Sequence, residues 1–305
     1  MEMTDLRKFI IPILITLLVI TSGMLFLQGT PNERLFETAE FSEDYKIYAL
    51  DLPRELFFAG EKVPMDDQAV RERFDRELLT NTYWQSNMLL SIKRANRWFP
   101  VIEPILKENN IPDDFKYLAL AESGLLNVTS PAGARGFWQL GEATAKENGL
   151  TVTNEIDQRM DVETSTLIAC KYLLEAKEEF GSWAMAAASY NMGKTGFRTQ
   201  KTNQKTDNYY DLYLNSETYR YIFRILAFKT IMTNPEKYGF YFQKKHLYPP
   251  LKSKIIQVDT AINDLADFAK AQGTNYRNLK IHNPWMLSST MPNPKRKVYS
   301  IAIED

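Results

Sequence analysis

From Asp66 onward, apolar and charged positions follow one another with helical rather than strand spacing. Val70, Phe74 and Leu78 recur at every fourth residue between Arg and Glu side chains, which predicts an amphipathic helix. Further helices are expected at Gln85 to Trp98 and at Pro100 to Asn109. Ile111-Pro112-Asp113-Asp114-Phe115 reads as a helix start, because proline suits the first helical position and acidic residues suit the positive end of the dipole. The apolar run that follows ends at Glu122, with Gly124 as its C-terminal cap. A Ser-, Pro- and Gly-rich loop spans Asn127 to Arg135. Helical patterns resume at Glu142, at Val162 to Phe180 and at Trp183 to Asn191. A polar loop is expected at Lys201 to Asn208, then a long helix from Ser216 to Thr233 that Asn234-Pro235 ends. Strand signals are scarce here, so the expected fold class is mainly α.

The two ends of the chain differ from this middle. Phe9 to Leu27 carries no charge and is long enough to cross a bilayer as a helix. Arg7 and Lys8 precede it, which places the N-terminus in the cytoplasm and the rest outside. No small-residue cleavage site follows, so residues 1–28 are expected to be a retained membrane anchor. Residues 29–65 read as a tether with an extended stretch around Tyr45 to Leu52. From Lys254 the pattern changes again. Ile255 to Val258 reads as a strand, helices follow at Asn263 to Gln272 and Tyr276 to Ile281, and Lys297 to Ile303 alternates as a closing strand. The expected domains are therefore 66–245 and a small β-α-α-β module at 246–305.

Composition narrows the chemistry. Hydrophobic residues make up 44% and charged residues 25%, as in a folded globular chain. A net charge of -1 offers no bulk attraction to nucleic acid, and none is expected as a partner. The single cysteine, Cys170, permits no internal disulfide and sits in a helical run as a core thiol. Only His246 and His282 could serve a Ser-His or Cys-His site, and neither lies near a nucleophile elbow. No zinc spacing, HExxH, Walker or GxGxxG loop occurs. No metal or cofactor is expected, and an enzyme on this sequence would work with carboxylates.

Glu122 is the carboxylate that fits. A glycosidic bond breaks through an oxocarbenium-like state, and its leaving oxygen must take a proton. An acid still protonated near neutral pH needs a raised pKa, which burial supplies. Leu118 to Ala121 precede Glu122, and the negative end of the helix dipole also opposes its ionisation. In Pro131-Ala-Gly133-Ala-Arg-Gly136-Phe-Trp138-Gln139, two glycines would let the backbone approach a ligand closely. Trp138 would pack either a sugar face or the core. Gln139 offers an amide donor and an acceptor for sugar substituents. Tyr190 and Asn191 close an alanine-rich helix before Gly193.

Glu122-Ser123, Gly133-x-x-Gly136-x-x-Gln139 and Ala188-Ser-Tyr190-Asn191-x-Gly193 together resemble, in order and spacing, the motifs of the family-one lytic transglycosylases. Ile156-Asp157-x-Arg159-x-Asp161 and Glu217-Thr218-x-x-Tyr221 resemble further family segments. The resemblance covers Trp84 to Phe240. It implies a lysozyme-like fold of the goose-type class acting on the glycan strands of bacterial peptidoglycan, anchored in the inner membrane with its catalytic domain in the periplasm. It further implies that Glu122 alone acts as acid and then base. The acid step protonates the oxygen between N-acetylmuramic acid and N-acetylglucosamine. The base step takes the proton of the muramic acid's C6 hydroxyl as a 1,6-anhydro ring closes. Ser123, Trp138, Gln139, Tyr190 and Asn191 would contact substrate, and Tyr221 would hydrogen-bond near Glu122. Asp157, Arg159 and Asp161 read as a structural cluster. A goose-type lysozyme shares the acid but lets water attack, with Glu142 or Asp161 as candidates to activate it. A non-catalytic wall-binding scaffold is the third reading. The C-terminal module is similar to a LysM domain through Asp264-Leu-Ala-x-Phe-Ala and Leu279-Lys-x-x-Asn283-Pro284, and would either bind N-acetylglucosamine chains or cap the catalytic domain. No feature points to an oligomeric state.

Overall fold

The computed structural model describes residues 46–305. The expected anchor and residues 29–45 of the expected tether lie outside them. Among the described residues no helix is long and apolar enough to cross a membrane. A short hairpin, β1 (Phe57–Phe58) and β2 (Glu61–Lys62), comes first among the described elements. Then come α1 (Gln68–Tyr83), α2 (Gln85–Glu108), α3 (Lys116–Ser123), α4 (Glu142–Glu147), α5 (Val162–Phe180), α6 (Trp183–Met192), α7 (Lys194–Gln204) and α8 (Ser216–Thr233). The chain closes with β3 (Ser253–Val258), α9 (Leu265–Ala271), α10 (Tyr276–His282) and β4 (Tyr299–Glu304).

Helix α8 organises the larger core. Its buried face, including Tyr221, Ile222, Ile225, Leu226 and Ile231, packs against α1, α3 and α6. Asn215 caps its N-terminus by accepting from Glu217 and Thr218 N–H groups. Helix α6 is alanine-rich and buried at Ala184 to Ser189, so neighbouring backbones approach it closely. Helix α5 crosses α2 and α6 with Ala169, Cys170, Leu173 and Ala176 buried.

Three expectations change. The tether assigned to residues 29–65 ends earlier, because Leu56, Phe58, Val63 and Met65 are buried in the main core. Glu61 in the hairpin accepts from the backbone N–H groups of Trp183 at 2.7 Å and Ala184 at 3.0 Å, capping α6 from outside its own sequence. The break placed at Pro100 is absent. Helix α2 runs through Pro100 and Pro104, because Met88, Ile92, Ala95, Ile102 and Leu106 form one buried stripe whose packing outweighs two lost backbone bonds. The polar loop at Lys201 to Asn208 is helical as far as Gln204, since α7 needs to bury only Phe197.

The C-terminal module is the expected β-α-α-β unit. Strands β3 and β4 pair antiparallel, with Ser253 opposite Glu304 and Val258 opposite Tyr299. Asn283 ties α10 to β4, donating to Ala302 O and accepting from Ala302 N. Leu265, Ala269, Leu279, Trp285, Ile301 and Ile303 form a second small core. Tyr248 and Pro249, assigned to this module from sequence, instead accept from Asn96 and Arg97 on α2 through their carbonyls. The module also recruits Ile156 from the larger domain into its core.

Candidate active site

Glu122 stands in the last turn of α3. The helix starts from a 3-10 turn at Asp113–Phe115, buries Tyr117 to Leu120, and stops at Gly124. There φ is +63° and the N–H returns to Leu120 O at 2.8 Å, a left-handed cap that glycine adopts without strain. Glu122 is thus half-buried at a fixed helix end. Tyr221 of α8 donates its hydroxyl hydrogen to Glu122 Oε1. Burial pushes the Glu122 carboxyl up to about 7. The Tyr221 hydrogen bond opposes the rise, the Glu217 charge adds to it, and the Arg224 charge opposes it. Burial and the nearby Glu122 charge hold the Tyr221 hydroxyl well above its ordinary range, so it remains a donor.

The strip after α3 is clamped from beneath. Ser123 Oγ donates to Phe137 O at 2.9 Å and to Ala119 O at 3.2 Å. Arg159 donates to Gly133 O at 2.9 Å and Leu140 O at 3.3 Å, and pairs through two nitrogens with buried Asp157. Arg135 adds a third bond to Asp157 at 3.0 Å. Asp157 is desolvated, yet its two arginines hold its carboxyl below the usual range. At Gly136, φ is +80° and an added Cβ would stand 1.9 Å from Arg159 O. Its close approach is to this backbone and not to a ligand.

Gln139 emerges from the clamp with φ +48°, a left-handed conformation that strains a non-glycine residue. Its Nε2 donates to Val128 O at 3.1 Å and Gly136 O at 2.9 Å, so Oε1 is the atom available to a ligand. Tyr190 donates to Trp138 O at 2.6 Å and sets its ring edge-on to Tyr172. Asn191 accepts from Thr218 Oγ1 at 2.7 Å and donates to Glu217 at 3.3 Å. Gln139 and Tyr190 line a chamber of about 530 Å³. Glu122 lies in a second, of about 450 Å³.

Two expected contacts are corrected. Trp138 is fully buried, and its indole N–H donates to Thr166 Oγ1 at 2.8 Å; it is a core residue and not a sugar platform. Ser123 borders the Glu122 chamber, but its hydroxyl is spent on Phe137 and Ala119. The carboxylates considered for activating water are also committed elsewhere. Glu142 pairs with Lys146 at 2.6 Å, and Asp161 caps α5 by accepting from Thr164 N. Sequence patterning missed the walls of the Glu122 chamber, namely Glu77, Trp84, Arg94, Arg220 and Arg224. They lie on α1, α2, α8 and the α1–α2 junction, where nothing but helical amphipathicity marked them. Among the described residues no group of three His, Cys, Asp or Glu could hold a metal ion.

An acid at a helix end, a clamped Gly-x-x-Gly-x-x-Gln strip and a Tyr-Asn helix end define a transglycosylase-type domain. Residues 99–213 match the transglycosylase SLT domain, and residues 254–305 match the soluble lytic transglycosylase C-terminal LysM-like domain. The chain thus combines an SLT domain with a LysM-like module. The SLT match stops short of α8, which supplies Tyr221. Among curated proteins the chain is similar to the membrane-bound lytic murein transglycosylase D of Escherichia coli (strain K12), 27% identical over 243 residues, covering 77% of this chain and 52% of the relative. The protein of that name from Escherichia coli O6:H1 matches with the same figures. The chain spans about half the length of these curated relatives.

Proposed function

We propose that this protein is a lytic transglycosylase of peptidoglycan in which Glu122 serves as acid and then as base. The observation that carries the reading is the half-buried Glu122 carboxyl, held by a tyrosine hydroxyl and pushed up by burial to about 7. In the first step Glu122 gives its proton to the glycosidic oxygen, and the bond from muramic acid C1 to that oxygen breaks. In the second, the Glu122 carboxylate takes the C6 hydroxyl proton while O6 bonds to C1. Glu122 is regenerated protonated, and no water is consumed. A pKa close to ambient pH suits a group that must both give and take a proton.

In this reading Tyr221 orients the acid, Gln139 Oε1 and Asn191 hold sugar substituents, and Tyr190 lines the cleft. Thr218 holds Asn191, which in turn donates to Glu217, whose charge favours the protonated acid. The apolar stretch from Phe9 to Leu27 would anchor the enzyme in the inner membrane with residues 46–305 in the periplasm, in keeping with the membrane-bound relatives. The LysM-like module would engage the same glycan.

The test is digestion of purified peptidoglycan with the full chain in detergent, followed by mass spectrometry of the released muropeptides. Products one water lighter than hydrolysed ones, absent with Glu122→Gln, are expected. Reducing ends instead would make the enzyme a muramidase. No release by a folded protein that still sediments with the wall would leave only a scaffold.

A further inference from the structure

The Glu122 chamber is cationic in a way that acid catalysis does not require. Three guanidinium groups line it, from Arg94, Arg220 and Arg224, against one other carboxylate, Glu77. Glu77 is buried and already shared, at 3.1 Å from Arg220 and 3.6 Å from Arg224. Arg94 pairs with no carboxylate among the described residues. Its Nε is buried without a hydrogen-bond partner, and its Nη2 reaches only Ser91 Oγ at 3.4 Å. The guanidinium lies against the cap of the catalytic helix, where a Cβ added to Gly124 would stand 3.3 Å from Nη2. The uncompensated cation therefore lies against Gly124, the residue two beyond the acid, and opens on the same space.

We propose that Arg94 is the anchor of a carboxylate subsite beside Glu122, which selects glycan strands for the acidic group they carry. The proposal rests on the lytic transglycosylase reading for its substrate class. Neutral sugar hydroxyls do not call for an unpaired, half-buried guanidinium, whereas a planar carboxylate meets its fork with two parallel bonds. Shielding part of a guanidinium from water without a counterion is costly, and this partial burial already lowers the proton affinity of Arg94. A ligand carboxylate would relieve that cost in the bound state. Two sources on a peptidoglycan strand offer this chemistry: the lactyl group of muramic acid when no peptide is attached, and the free carboxylates of the stem peptide. Arg220 and Arg224 extend the positive field along one wall, while Trp84, 60% exposed, lies on the rim.

The experiment compares kcat/KM on peptidoglycan before and after its free carboxylates are capped as methylamides, using the full chain in detergent. Wild type should prefer the uncapped strands by roughly 10-fold, the scale of one charge-assisted pair. Arg94→Gln should bring that ratio close to 1 while the midpoint of the pH profile stays in place. A preference that survives on amidase-denuded strands assigns the lactyl carboxylate, and one seen only with peptide-bearing strands assigns the peptide. Equal cleavage of capped and uncapped strands by wild type, or an undiminished preference in Arg94→Gln, overturns the subsite. Binding decides the matter independently of turnover and of that variant's folding. N-acetylmuramic acid should bind the Glu122→Gln protein more tightly than its methyl ester does, and equal binding overturns the proposal. Absence of cleavage on every substrate would count against the lytic reading, leaving the binding comparison to judge the subsite.

Discussion

Tyr221 reaches Glu122 from a different helix, its hydroxyl donating to Oε1 of a carboxyl that also sits in a desolvated wall. The bond favours the carboxylate, whereas burial favours the acid, and the balance falls near neutrality. Tyr221→Phe removes the larger of the two lowering influences and leaves burial and the Arg224 charge in place. The Glu122 pKa should rise, so the alkaline limb of activity moves to higher pH. Hydrogen bonds to charged groups contribute about 1.5–3 kcal/mol, so turnover at pH 7 should fall roughly 10- to 100-fold. An unshifted limb in a folded Tyr221→Phe protein would remove Tyr221 from the site's electrostatics.

In the proposed mechanism the same carboxyl links catalysis to stability. Its pKa is raised from an ordinary 4.5 to about 7, so the folded protein binds this proton more tightly than the unfolded chain. Below pH 4.5 both states are protonated and the group is neutral to stability. Above pH 7 the folded state carries a desolvated charge, which costs roughly 1–3 kcal/mol once partial exposure is allowed for. Glu122→Gln should therefore melt with the wild type at pH 4 and several degrees above it at pH 8, while being inactive throughout. Activity of the wild type should decline as pH rises through 7, because the acid step needs the proton. Identical melting of both proteins at pH 8 would contradict the raised pKa.

Much of this site was legible because its chemistry coincides with helix ends. Glu122 precedes a glycine cap, Tyr190-Asn191 precedes Gly193, and Glu217 to Tyr221 open a helix that Asn215 caps. These local signals do not depend on the fold. What stayed hidden depends on contacts between distant segments. The Glu61 hairpin reads as tether because its apolar residues are too few to show a period, yet it caps α6. Trp138 could face sugar or core, and only the approach of Thr166 decides. Arg94 is one of several cations on α2, and its lack of a partner is a property of what surrounds it.

Gly136 shows the clamp beneath the site most sharply. Its φ of +80° and the 1.9 Å separation that a Cβ would have from Arg159 O leave no room for a side chain. Gly136→Ala should cost about 3 kcal/mol or more, from backbone strain and the clash together, and should misplace Gln139. Thermal unfolding and kcat/KM should fall together. By contrast, Gly133→Ala, at φ +81° with no atom near the added Cβ, should lose only the conformational part.

The LysM-like module is built into the catalytic body. Asp157 N donates to Trp285 O at 2.8 Å, and Leu287 N to Glu155 O at 2.7 Å. Lys297 Nζ reaches Gly149 O and Gln158 Oε1, and Thr151 meets the Tyr299 hydroxyl at 3.0 Å. Asp157 in turn anchors Arg159, which holds the carbonyls on either side of the Gln139 strip. The module therefore bears on the site through its scaffold as well as through any glycan it engages. Ile156→Ala, which hollows the shared core, should destabilise by about 2–4 kcal/mol. Removal of residues 253–305 should lower kcat on short soluble glycans, for which binding of the polymer by a second module gives no advantage. Calorimetry of the intact chain should show the two cores melting in one transition. Two separate transitions, with turnover of short glycans unchanged by the truncation, would make the module an independent binder.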